Sequence, residues 1–400
     1  MADRPGLPGA VSTPAPPPAD DSVDAAIDAA DAVGFVAVGT PLDPNLRYLS
    51  RVQPADHGSA FVRVSGRSVA CAPAESVGCA NAEFDGEVAT DRVGDPAGER
   101  AAAVLDEYTD GAAASAGGTV LVPPRIPHDA AVYLERAGYD LRSTAAVAEA
   151  RATKSDAEID AIDAVQRAAT AAVREAERLL ATAGSGADGE LRREGRPLVA
   201  ERLRRATNAE LARHGVTDAD NTVVRGRTRS DRTAVVRTAS AGNTPLRAGE
   251  PITVVVAPRG PHGYHGSLAR TFVVDSDGGW ARRAYVAVES ALDAALAEID
   301  AGTVARAAGR EAGAELAAFG FDPGSAEGPT PAPGHGVGLS RRERPSLDAN
   351  ADLQAGNVVA VEPQVADPER GTVRVSALVV VTADGYERLG DGDPSFTPRG

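Results

Sequence analysis

Short apolar runs separated by helix-like stretches fill residues 22–150. Gly34 to Val38, Ala60 to Val64, Ser68 to Ala72 and Thr119 to Val122 are apolar, four or five residues long and flanked by turn formers, which predicts strands. The segment PRIPHDAAVYLERAGYDL has helical spacing and runs to Gly138, a residue suited to the left-handed conformation that closes helices. Strands and helices alternating in this way predict an α/β domain over residues 22–150.

The pattern changes near Arg151. Ser155 followed by Glu158 spells a capping box, and Ile159, Ile162, Ala169, Val173 and Leu180 then fall on one stripe of a long helix. AGSGADGE reads as a linker-like turn, and a second helix is expected from Pro197 through Leu211, stopping at Gly215. From residue 222 the runs TVVRG, PITVVVAP and RTFVVD predict strands, each bounded by Gly or Pro. Helices follow over Trp280 to Ile299 and Thr303 to Phe319, then strands in GNVVAVEP, GTVRVS and LVVVTADG. Residues 151–395 are therefore read as one α+β domain.

MADRPGLPGAVSTPAPPPADD lacks a basic stretch followed by an apolar core, so it is no secretory signal, and its Pro/Ala bias predicts a disordered tail over residues 1–21. No run reaches the roughly 18 apolar residues of a membrane helix. The two cysteines, Cys71 and Cys79, have no metal-binding spacing and are expected as buried free thiols, which with the missing signal places the chain in the cytoplasm. A net charge of −16 repels a phosphate backbone and argues against nucleic acid as a partner. Lys154 is the sole lysine; an acidic, arginine-rich surface suits a salt-rich cytoplasm or reflects a GC-rich genome.

Five segments in order carry a family resemblance: ARATKSDAEIDAIDAV, GEPITVVVAPRGPHGYHGSLARTFVVD, PAPGHGVGLSRRERPSLD, GNVVAVEP and GTVRVSALVVVTADGYERLGD, with NLRYLS at residues 45–50 as a sixth, smaller match. Together they resemble the pita-bread metallopeptidases (creatinase, prolidase, Xaa-Pro aminopeptidase) of a haloarchaeal type. The resemblance implies a pita-bread C-terminal domain preceded by a smaller α/β domain. It also implies two divalent metals, such as Mn, Co or Zn, held by two Asp, one His and two Glu, with a metal-bound water as nucleophile.

Carried over position by position, that ligand set is incomplete. The first Asp falls on Val255 or Val256, the second on Ser267 and the last Glu on Ser376, while His335 and Glu362 stand at the retained His and Glu. Valine coordinates nothing, and one imidazole with one carboxylate leaves most of a metal's charge uncompensated, so no metal cofactor is expected. Arg342 replaces the His that precedes Glu343 in the family, bringing a permanent cation able to pair with Glu362 or Glu343. A further upstream His has no counterpart in VVRTASAG.

The residual catalytic candidates are His335, Glu343 and Glu362, with Arg342 and Arg374 as candidates for binding the termini of a peptide-like substrate. His335 and Glu362 are equally readable as structural groups, and Glu343 and Arg374 as halves of salt bridges. His262 and His265 lie in a Gly/Pro-rich turn and are expected to be solvated. Gly260, Gly263 and Gly266 precede no helix, so they form no nucleotide loop. The resemblance thus implies a catalytically degenerate Xaa-Pro peptidase homologue that binds a peptide or small molecule, as a homodimer or paired with an intact paralogue. The alternative it leaves is a divergent Xaa-Pro metallopeptidase, or a metal-free hydrolase of the creatinase type with Glu362 and Glu343 as acid and base and His335 assisting.

Overall fold

The computed structural model describes residues 19–40, 42–51, 58–73, 78, 84–91, 96–109, 117–226, 245–321, 333–390 and 392–399. Cys79, the VVRTASAG segment and residues 1–18 of the expected tail lie outside the described residues. Contacts divide the chain between Arg151 and Ala152. Among the described residues no helix is long and apolar enough to cross a membrane.

In the N-terminal unit, helix α1 (Ala19–Ala30) precedes β1 (Gly34–Gly39), α2 (Pro44–Ser50), β2 (Ser59–Val64), β3 (Arg67–Pro73) and β4 (Glu87–Asp91). Helix α3 (Ala97–Tyr108), β5 (Thr119–Val122), α4 (His128–Arg136), β6 (Asp140–Ser143) and α5 (Ala146–Ala150) complete it. The strands form one mixed sheet in the order β4-β3-β2-β1-β5-β6, with β1 antiparallel to β2 and parallel to β5. Leu105 of α3 and Leu134 of α4 bury against Val36, Val62 and Val120 of this sheet, which gives the alternating pattern its α/β layering. Cys71 is buried in the core of this sheet. Helix α1 was not expected: it takes up the last residues assigned to a tail. Its Val23 is buried and spaced four residues from Ile27, a helical repeat that the preceding prolines obscure.

The C-terminal unit opens on α6 (Asp156–Ala181), whose N-terminus carries the capping box of Ser155 and Glu158. Ser155→Ala is expected to cost this unit about 1 kcal/mol; denaturant unfolding followed by the single tryptophan, Trp280, reads the loss. After it come β7 (Gly184–Ser185), β8 (Leu191–Arg193), β9 (Arg196–Pro197) and α7 (Ala200–Arg213). The expected linker-like turn is thus part of a small three-stranded sheet, anchored by buried Leu191 and Leu198, and this strand pairing delays the second helix to Ala200.

Strands β10 (Val223–Arg225), β11 (Ile252–Val256) and β12 (Leu268–Phe272) form an antiparallel sheet covered by α6 and α7. Then follow α8 (Gly279–Ala297), α9 (Arg306–Ala318), β13 (Gly334–Gly336), β14 (Glu343–Ser346), β15 (Val358–Val361), β16 (Gln364–Asp367), β17 (Gly371–Arg374), β18 (Ala377–Thr382) and β19 (Gly385–Arg388). A second sheet runs β14-β13-β15-β18-β19, with β16 and β17 paired beside it; α8 buries Tyr285, Val288 and Leu292, and α9 Leu316, in one core with Val359, Val361 and Val379. Two helix pairs, each backing an antiparallel sheet, make this an α+β domain, as the pattern of helices and strands predicts.

Candidate functional site

The site is assembled where the ends of β12, β13, β15 and β17 meet. Alternation along β11 sends Val254 and Val256 into the core with Val173 of α6, while Val255 pairs with Ala269 on the opposite face. Ala269 is two residues beyond Ser267, so Val255 is the member of the pair that shares the Ser267 face. The amide of Ser267 donates to Gln166 Oε1 at 2.9 Å and Gln166 Nε2 donates to its carbonyl at 3.1 Å, so α6 holds this turn directly. Tyr264 Oη, donating to Glu158 Oε1 at 2.9 Å, fixes it a second time.

Glu362 follows β15 and its side chain is only 4% exposed. Ser267 Oγ donates to Glu362 Oε1 at 3.1 Å. Around Oε2 gather His335 Nε2 at 3.3 Å, Arg342 Nη2 at 3.5 Å and, closest of all, Arg374 Nη2. Burial alone would push the Glu362 carboxyl up; the Arg374 cation, the His335 contact and Arg342 outweigh it and hold the group at about 2. The carboxylate is therefore ionised throughout the neutral range, and its charge is neutralised from within the protein.

His335 sits in the middle of β13, opposite Ala360 of β15, with Nδ1 3.0 Å from the carbonyl of Gly336 and Nε2 turned to Glu362. Each ring nitrogen thus faces an oxygen of the protein. Ser376 is buried and ties β12 to the approach of β18: its Oγ accepts from the amide of Ala269 at 2.7 Å, and its own amide donates to the Ala269 carbonyl.

Glu343 does not join this cluster. Its Oε1 accepts from Lys154 Nζ at 2.7 Å, with the two side chains 8% and 1% exposed, and Lys154 also donates to the carbonyl of Ala152. Of the two partners open to Arg342, the structure supplies Glu362. A side chain at Gly338 would collide with Glu343 Oε1, which explains the last glycine of GHGVG. His265 departs from the solvated turn expected of it: the loop folds back so that its amide donates to the carbonyl of Gly338, and the ring is buried. Burial, with the Arg259 and Arg341 cations nearby, lowers its pKa to about 4, and its Nδ1 has no hydrogen-bond partner. His262 is half-buried.

The description of metallopeptidase family M24 matches residues 160–383, more than half of the sequence. The chain belongs to this family. Among curated proteins this M24 protein is 31% identical over 129 residues to the uncharacterized peptidase YqhT of Bacillus subtilis, a match covering 32% of this chain and only 35% of that one. In fold it is similar to the Xaa-Pro dipeptidase of Bacillus anthracis, at a TM-score of 0.79 and 18% identity over 95% of this chain and 99% of the other. The prolidase of Pyrococcus horikoshii is similar at 0.77 and 18%, covering 94% and 99%.

Among the described residues of this M24 protein, no three His, Cys, Asp or Glu side chains converge in a way that could hold a metal ion. The two potential donors at the site, His335 and Glu362, spend their donor atoms on each other, on Ser267 and on two guanidiniums. A divalent cation does not fit that set, because it would have to displace two fixed positive charges and gain one carboxylate. Two features had no clear warning in the sequence: the Lys154–Glu343 pair, hinted at only by a lone lysine in an arginine-rich chain, and Gln166, which looks like an ordinary polar position on α6.

Proposed function

We propose that this M24 protein is a catalytically degenerate Xaa-Pro peptidase homologue that binds a peptide or small metabolite without cleaving it. The observation that carries the proposal is the environment of Glu362, where Arg374, Arg342 and His335 occupy the electrostatic role that metal ions have in the family. Val255, Ser267 and Ser376 add no charge there, and Ser267 and Ser376 spend their hydroxyls on protein partners.

Metal-free hydrolysis fits the same geometry less well. A carboxyl held at about 2 is ionised at neutral pH and has no proton to give, and its oxygens are taken up by Ser267, His335 and two guanidiniums. Glu343, the other acid or base candidate, is locked to Lys154.

Calorimetric titration of the intact chain with Mn²⁺, Co²⁺ and Zn²⁺ is expected to show no tight site, and Xaa-Pro dipeptides and creatine are expected to turn over no faster than with a Glu362→Ala control. Two tightly bound ions per chain, or turnover above that control, would sink the proposal.

A further inference from the structure

Residues 392–399 have no regular secondary structure, yet they are fastened to the chain just past β12, to α8 and to α6. The amide of Val273 donates to the carbonyl of Phe396 at 2.9 Å. The Phe396 ring meets Tyr285 of α8 edge-on, with 5.1 Å between centroids, and carries the Arg282 guanidinium over its face. At the far end the amide of Arg399 donates to Glu177 Oε1 of α6 at 3.0 Å. Phe396 is the aromatic anchor and is half-buried, while Gly392, Asp393, Thr397 and Arg399 are exposed. Segments with so little buried apolar surface open before the unit around them unfolds.

Tyr285 weakens the closed state. It is 1% exposed, and its hydroxyl has no hydrogen-bond partner among the described residues, which costs stability as long as water is kept away. Burial and the Glu289 charge push its ionisation up, and the cations that oppose them are Arg270, Arg282 and Arg399. Arg282 and Arg270 both touch residues 392–399 and Arg399 belongs to them, so the hydroxyl lies on the side that this segment covers. Lifting the segment admits water there.

The same segment reaches the Glu362 site through Arg270. Nη2 of this buried guanidinium donates to the carbonyl of Gly392 at 3.0 Å, and Nη1 donates to the carbonyls of Ala269 at 2.9 Å and Ser376 at 2.6 Å. Ala269 and Ser376 are also bonded to each other, amide to Oγ in one direction and amide to carbonyl in the other. Two residues before Ala269 stands Ser267, and two before Ser376 stands Arg374, both in contact with Glu362. One cation thus ties the segment to the crosslink between the two stretches that supply those contacts. We infer that residues 392–399 are a strap whose docking is coupled to the order of the Glu362 site: lifting it frees Arg270 from Gly392 and loosens the Ala269–Ser376 crosslink. By reciprocity, whatever tightens the site holds the strap down. The coupling is a property of the fold and stands whether or not the site binds a ligand.

The test is hydrogen exchange followed by mass spectrometry on the full chain. Substituting Arg270 risks the fold, because three carbonyls would lose their donor, so the strap is released at its half-buried anchor instead. Phe396→Ala is expected to speed exchange in residues 392–399 and, by about tenfold, at the amides of Ala269 and Ser376, while the amides of the small β7–β8–β9 sheet keep their rates. Phe396→Leu, which keeps an apolar anchor, is expected to stay within about threefold of the native rates. Faster exchange confined to residues 392–399 and to Val273, whose amide bonds Phe396 directly, would overturn the coupling. So would an equal rise in the small sheet, or no acceleration at all.

Discussion

Replacing Arg374 by methionine is expected to destabilise the C-terminal unit by about 3–5 kcal/mol at neutral pH, because it strips the nearest cation from a carboxylate that is almost wholly buried. Arg342 does not take over: it stands at 3.5 Å and is 58% exposed, so water screens it. The pH dependence carries the sign. In the native chain the Glu362 carboxyl is held at about 2, below its ordinary value of 4.5, so its contribution is fully present above that ordinary value and is lost as the pH falls towards 2. Without Arg374 the burial effect dominates, the folded-state pKa rises, and the variant gains relative stability on acidification as Glu362 becomes neutral. Urea unfolding followed by Trp280 fluorescence at neutral and mildly acidic pH tests both parts. A loss under about 1 kcal/mol at neutral pH, or one of equal size in acid, would mean that Arg374 does not carry the charge balance.

Lys154→Met is expected to have an effect of similar size through a different group. Glu343, 8% exposed, would lose the ammonium that stands 2.7 Å from it, at a cost of about 3–5 kcal/mol. Exchanging both partners for apolar residues, Lys154→Met with Glu343→Leu, is expected to recover most of the loss, since both members of the buried pair are then removed together. The double-mutant cycle measures the coupling. A coupling energy near zero would show that the two side chains are stabilised independently.

The elements that local pattern dictates were legible in the sequence. The Ser155–Glu158 capping box and the apolar stripe of α6 depend on residues three or four apart, and they appear in the structure at those positions. The strands leading to Glu362 and carrying Arg374, in GNVVAVEP and GTVRVS, were readable for the same reason, whereas the short strand around His335 was not expected. What local pattern does not encode is pairing across long separations. Lys154 and Glu343 are 189 residues apart, and Gln166 and Ser267 are 101 apart. The choice between Val255 and Val256 needed the register of β11 against β12, where a slip of one residue exchanges core for site. His265 reads as a solvated loop residue until the Gly338 segment closes over it. Helix α1 escaped because its apolar spacing is short and follows a proline-rich run.

The ammonium of Lys154 is the chain's only side-chain amine, and it is 1% exposed with its hydrogens directed at Glu343 and the Ala152 carbonyl. Reagents that acylate or cross-link lysines therefore find no side-chain target while the C-terminal unit is folded. Covalent labelling at that one position becomes a clock for local opening: its rate reports how often the segment leading into α6 separates from Glu343 at the start of β14, with no probe added to the protein.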